Sequence, residues 1–138
     1  MSERIFLEWL PNDPDSPFPP TANALPEPNG LLAAGGDLSP TRLLNAYRQG
    51  IFPWYSEGNP ILWWSPAPRC VLLPAEVHLS RRTRRRFNGG AYRITLTQAF
   101  EDVMEACAAP RPDEAGTWIT AEMATAYQRM YHLGYAHS

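Results

Sequence analysis

The chain contains no lysine; all twelve of its basic residues are arginine. That absence excludes a lysine-bearing phosphate loop, a Schiff-base enzyme and a lysine-anchored pyridoxal cofactor. No run of 18 apolar residues occurs, so no membrane-spanning helix is predicted. The opening MSERIFLEWLPNDPD lacks the apolar core of a secretory signal. Cysteine is scarce. Cys70 and Cys107 are too few for a disulfide scaffold and are read as reduced thiols in a cytoplasmic protein, with Cys107 on an apolar helical face as a packing residue. Two distant cysteines with His78, His132 and His137 offer no zinc-ligand spacing, and no metal is expected. The strand–turn motifs G-x-S-x-G and G-x-G-x-x-G are both missing. The lone pair Gly35-Gly36 is read as shaping a turn.

What is present suffices for a folded domain. The 138 residues are 44% hydrophobic, 12% aromatic and 19% charged, which suits one domain or slightly more and excludes general disorder. Proline is concentrated early. The stretch PNDPDSPFPPTANALPEP, residues 11–28, is expected to be extended loop, with Phe18 and Leu25 as the side chains that pin it. Helix signals follow. SPTRLLNAYRQG has Ser39 as N-cap, Pro40 in the first turn and Gly50 as stop. HLSRRTRRRF is a short helix capped by Ser80, with Leu79, Thr83 and Phe87 on one stripe. A helix over about 98–108 puts Phe100, Val103, Met104 and Cys107 on one face. Thr120 caps another, whose buried side is Met123, Tyr127, Met130 and Tyr131 and which Gly134 closes. Strands are predicted at Ile61–Trp64, at Cys70–Leu73, over AYRITLT and beginning at YAHS. The order indicates an α+β fold.

Charge is unevenly distributed. Residues 1–77 carry four arginines and eight acids, residues 78–93 six arginines and no acid, and residues 94–138 two arginines and six acids. A local basic stripe on an acidic chain points to one polyanion site. Arg81, Arg84 and Arg85 share a helical face, flanked by Arg82 and Arg86. Guanidinium groups fork onto phosphate oxygens. The competing reading is a solvated face balanced by the acidic residues at 101–105. Of five tryptophans, Trp54 and Trp118 sit in Gly- or Pro-flanked loops that expose side chains more readily than strand interiors. An indole stacks on a nucleobase. Arginines for a backbone and indoles for bases point to a nucleic acid with an accessible single-stranded end.

The segments GLLAAGGDLSPTRLLNAYRQGIFPWY, ILWWSPAPRCVLLP, HLSRRTRRRF, AFEDVMEACA, GTWI and LGYAHS closely resemble the bacterial leucyl/phenylalanyl-tRNA–protein transferases, from about Leu31 to Ser138. The resemblance implies transfer of Leu, Phe or Met from aminoacyl-tRNA to the N-terminal Arg or Lys of acceptor proteins, which marks them for degradation. It implies a small N-terminal domain, residues 1–66, then the first part of an acetyltransferase-like (GNAT-like) domain, residues 67–138, with no cofactor. Trp54 and Trp118 would hold the terminal aminoacyl-adenosine, and Arg81, Arg82, Arg84, Arg85 and Arg86 the acceptor-stem phosphates. Family members continue beyond AHS into a Gly-Glu-Ser strand motif, much of the donor pocket, and an Asp and a Gln of a proton relay. The catalytic residues are therefore expected outside these 138 residues. The chain is read as an inactive fragment that self-associates, of a protein that is monomeric at full length. The alternatives are a non-catalytic tRNA-binding module, an acetyl-CoA enzyme (for which the pyrophosphate loop is missing) and an interaction domain built on the proline-rich start.

Overall fold

The computed structural model describes residues 6–110 and 117–138. Its elements are β1 (Glu8–Leu10), β2 (Leu31–Gly35), α1 (Pro40–Arg48), β3 (Phe52–Pro53), β4 (Leu62–Trp64), α2 (Arg81–Asn88), α3 (Phe100–Ala108) and α4 (Ala121–His132). The fold is α+β, as the sequence indicates.

The strands form one mixed sheet in the order β1-β2-β4-β3. β1 runs parallel to β2, while β2–β4 and β3–β4 are antiparallel. β2 is LLAAG, and its small residues make room for a large neighbour: Ala33 lies opposite Trp63. Trp63 is fully buried, donates its indole N–H to the Gly35 carbonyl at 2.9 Å, and meets Phe18 edge-on at 4.9 Å. Pro53 occupies an edge strand, where its missing N–H costs no ladder bond.

Three helices begin on the predicted caps. The hydroxyls of Ser39, Ser80 and Thr120 accept the N–H of Arg42, Thr83 and Met123. Gly50 and Gly134 follow α1 and α4 at φ +72° and +80°, where a Cβ would be strained. One core joins the sheet to α1 and α4 through Leu10, Leu43, Ile51, Trp63, Met123 and Met130. Phe18 belongs to it and Leu25 is half-buried. The proline-rich loop is held by Arg42, which is fully buried. Its guanidinium donates to the carbonyls of Pro11, Asp13 and Ser16 and pairs with Asp37 at 3.3 Å.

Four expectations need correction. Cys70–Leu73 and AYRITLT are not strands. Residues 67–96 are exposed throughout, and among the described residues no backbone hydrogen bond links 90–96 to another element. An alternating pattern specifies a face for burial but does not supply the neighbouring strand. YAHS is not in a strand either, although the Ser138 carbonyl accepts the Thr97 N–H at 2.7 Å. Cys107 is exposed rather than packed, because α3 buries only Phe100 and turns its later residues toward an open cavity.

Candidate functional site

Trp54 leaves the end of β3 on a fixed backbone. Its N–H donates to the Leu62 carbonyl at 2.9 Å, and its carbonyl accepts the Trp64 indole N–H at 2.7 Å. Trp118 precedes the Thr120 cap of α4, in a turn where the Thr117 hydroxyl accepts the Ile119 N–H at 3.1 Å. The two side chains are 53% and 37% exposed and stack on each other, with ring centroids 5.5 Å apart and planes at 23°. Distant in sequence, they thus form one aromatic platform at the surface.

Trp118 also lines a largely apolar cavity of about 650 Å³ between α1, α3 and α4. Leu44, Phe100, Met104, Met123 and Met130 supply its apolar wall. Two phenols mark its polar point: the Tyr47 and Tyr127 hydroxyls hydrogen-bond to each other. Burial, reinforced by the Tyr47 contact, holds the Tyr127 phenol well above the ordinary tyrosine range. The cavity and this pair escaped the sequence reading. Tyr127 looks like any core position, and Tyr47 is marked only by following Leu44 at helical spacing.

Next to Trp54 in the chain, Tyr55 donates to Glu122 Oε2 at 2.9 Å. Burial, with the adjoining Glu122 carboxylate, pushes the Tyr55 phenol up to about 12. Tyr55, Glu57, Asn59 and Glu122 line a small polar hollow of about 290 Å³ there.

The five arginines of the basic stripe all lie on α2 and are all exposed. Arg82, Arg85 and Arg86 face a shallow hollow of about 320 Å³ with Gly89 and Ala91, so convergence falls on this trio rather than on Arg81, Arg84 and Arg85. Among the described residues none of the five is ion-paired, so Glu101, Asp102 and Glu105 do not neutralise them at contact range. His78, ahead of the helix, is exposed. The tryptophan pair and the arginine helix stand on separate elements. No helix among the described residues is long and apolar enough to cross a membrane.

Comparison with known proteins matches residues 71–138 to the family model for leucyl/phenylalanyl-tRNA protein transferase. Residues 36–67 match the model for the N-terminal domain of the same transferase. The leucyl/phenylalanyl-tRNA–protein transferase of Alkalilimnicola ehrlichii is 59% identical over 133 residues, covering 96% of this chain and 52% of the relative. That of Stutzerimonas stutzeri is 58% identical over 133 residues, covering 96% and 58%. That of Nitrosomonas europaea is 59% identical over 124 residues, covering 90% and 52%. The chain thus spans about half the length of the curated relatives it matches.

Proposed function

Because the chain belongs to the leucyl/phenylalanyl-tRNA–protein transferase family, we propose that it carries the aminoacyl-tRNA-binding half of that reaction. The donor is Leu, Phe or Met esterified to the tRNA end, and the acceptor is a protein with N-terminal Arg or Lys. The acceptor amine attacks the ester carbonyl, a peptide bond forms, and the ribose 3′-oxygen departs with a proton. Much of the rate comes from holding the two substrates together, since an activated ester needs no further energy source. The product is a degradation signal, and the setting is the cytoplasm.

The observation that carries this reading is the stack of Trp54 and Trp118 beside the apolar cavity. An indole platform takes the terminal adenine, and a Met- and Leu-lined space next to it suits an aliphatic or aromatic side chain. The arginines Arg81, Arg82, Arg84, Arg85 and Arg86 take acceptor-stem phosphates, for which free guanidinium forks are suited. In this reading residues 1–66 form the N-terminal domain, and residues 67–138 contribute to an acetyltransferase-like domain. The proton-handling groups lie outside the chain, so it binds charged tRNA without transferring.

The test pairs binding with transfer. Trp54→Ala and Trp118→Ala should each weaken binding of a 3′-aminoacyl-adenosine by about 5- to 150-fold, the range for one lost base stack. Melting should stay near the parent, whereas Trp63→Ala, in the core, should cost about 3–5 kcal/mol. With leucyl-tRNA and an Arg-starting peptide, this chain should bind without transfer while the full-length relative transfers. Binding as tight as the parent's by both Trp variants would refute the site. Transfer by this chain alone would show that the proton-handling groups lie within it.

A further inference from the structure

Trp54 and Trp118 belong to segments distant in the chain, so their stack lasts only while those segments keep a fixed spacing. Each segment is well fixed by itself. The Trp64 indole N–H holds the Trp54 carbonyl at 2.7 Å, and Thr117 and Thr120 shape the turn that leads from Trp118 into α4. The link between them runs through Tyr55. It follows Trp54 and is only 5% exposed, where Trp54 is 53% exposed. Its phenol reaches α4 and donates to Glu122 Oε2 at 2.9 Å, with the Thr120 hydroxyl beside it. Glu122 stands in the first turn of α4, directly after the turn that carries Trp118. Among the described residues no other side chain of residues 50–64 is hydrogen-bonded to residues 117–138. Met123 holds α4 to the core by apolar packing, which is non-directional. A hydrogen bond is directional and fixes register as well as depth.

We propose that Tyr55 and Glu122 are positioning residues for the aminoacyl-adenosine platform: their hydrogen bond sets the spacing at which Trp118 stacks on Trp54. The proposal rests on the reading of that indole pair as the adenosine site. Attraction between ring faces is steep in distance, and a gap of about 0.5–1 Å already forfeits a quarter to a half of a contact. A bond made beside Trp54 and in the helical turn after Trp118 is placed to prevent such a gap. A platform formed before the nucleotide arrives also binds it without the cost of ordering two indoles. The Tyr55 phenol, pushed up to about 12, stays a donor throughout the neutral range.

The experiment uses the full 138-residue chain and a stable probe, adenosine carrying leucine through a 3′-amide. The far-ultraviolet exciton couplet of the indole pair, identified as the signal lost in Trp118→Ala, reads the stack without ligand. Tyr55→Phe and Glu122→Ala should each lose most of this couplet and bind the probe about 2- to 12-fold more weakly, the range for one hydrogen bond. Both should melt within about 5 °C of the parent, as one lost bond predicts. Glu122→Gln, whose amide oxygen still accepts the phenol, should restore couplet and affinity. The double variant Tyr55→Phe/Glu122→Ala should be no weaker than either single one, because both remove the same bond. A parental couplet in Tyr55→Phe and Glu122→Ala overturns the proposal, as does parental affinity once the couplet is lost. So do additive losses in the double variant, or a Glu122→Gln variant as weak as Glu122→Ala, which would make charge rather than the bond the cause. If Tyr55→Phe melts far below the parent, Glu122→Ala, altered at an exposed side chain, decides alone. The two readings fail separately. A couplet that falls in both variants while the parent does not bind the probe upholds the brace and removes the adenosine site. A parental couplet in both, with binding weakened by Trp54→Ala and Trp118→Ala, does the reverse.

Discussion

Arg42 is a charged side chain that solvent does not reach. It follows Thr41 in α1 and reads in the sequence as an ordinary helix position, because nothing local signals a burial that depends on loop residues far upstream. The loop explains it. A proline-rich stretch forms few backbone ladders, so its carbonyls need another donor. The planar guanidinium supplies several donors at once, reaching Pro11 at 2.8 Å and Ser16 at 3.2 Å, with the Phe18 ring 5.6 Å from its carbon. Burial raises the Asp37 carboxyl, but hydrogen bonds from Ser39 and the Arg42 charge outweigh it and hold the group below its ordinary 3.8. A depressed carboxylate stabilises the fold above its unfolded value and loses that contribution as pH falls through the folded one. Arg42→Met should therefore cost about 3–5 kcal/mol at neutral pH, the range for breaking a buried pair. The gap between parent and variant should narrow below pH 3.8. Arg42→Lys should recover little, since an ammonium does not fork. Urea melts at pH 7 and pH 3 check this, and a Lys variant as stable as the parent would refute the clamp.

Helices were legible in this sequence because their signals are local. Ser39, Ser80 and Thr120 announce α1, α2 and α4, and each makes the capping bond its position suggests. Strands were less legible. β2 is LLAAG, whose alanines favour helix, and it becomes a strand because Trp63 needs small residues opposite it. β3 is two residues long and contains a proline. Conversely, residues 92–96 have the right alternation and, among the described residues, no adjacent strand. Trp54 and Trp118 were legible as loop indoles, but not as partners, since their stacking depends on long-range packing. α2 carries the clearest functional prediction at this scale. Arg81→Ala, Arg84→Ala and Arg85→Ala together leave the Ser80 cap and improve helix propensity, so the helix should persist. Each lost phosphate contact should lower the slope of log K against log salt for tRNA by about 0.7–0.9. Replacing the converging trio Arg82, Arg85 and Arg86 should have at least as large an effect. An unchanged slope in both variants would mean a solvated face.

Chain order and folded unit do not coincide in the molecule. α4 lies near the end of the sequence, yet Met123, Ala126 and Met130 enter the same core as Leu10, Leu43 and Trp63. Residues 6–66 and α4 thus make one body, to which Ala67 and Arg69 are tied through Asn29 and the Gly50 carbonyl, and residues 71–96 run outside it. This arrangement explains why the tryptophan pair forms: Trp54 comes from the early body, and Trp118 arrives with the returning helix. It also predicts how the protein comes apart. Local opening requires little where few apolar side chains are buried, so α2 should unfold transiently long before the core does. Trypsin should cut first among Arg81–Arg93, all exposed, while the bond after the buried Arg42 should resist. The two pieces should stay together, because Met123, Met130 and the Tyr55–Glu122 bond still join α4 to the body. Gel filtration and melting of the nicked protein check this, and melting should remain close to that of the intact chain. Separation of the pieces, or a first cut after Arg42, would mean that α4 does not belong to the body, and the aromatic platform would lose its structural basis.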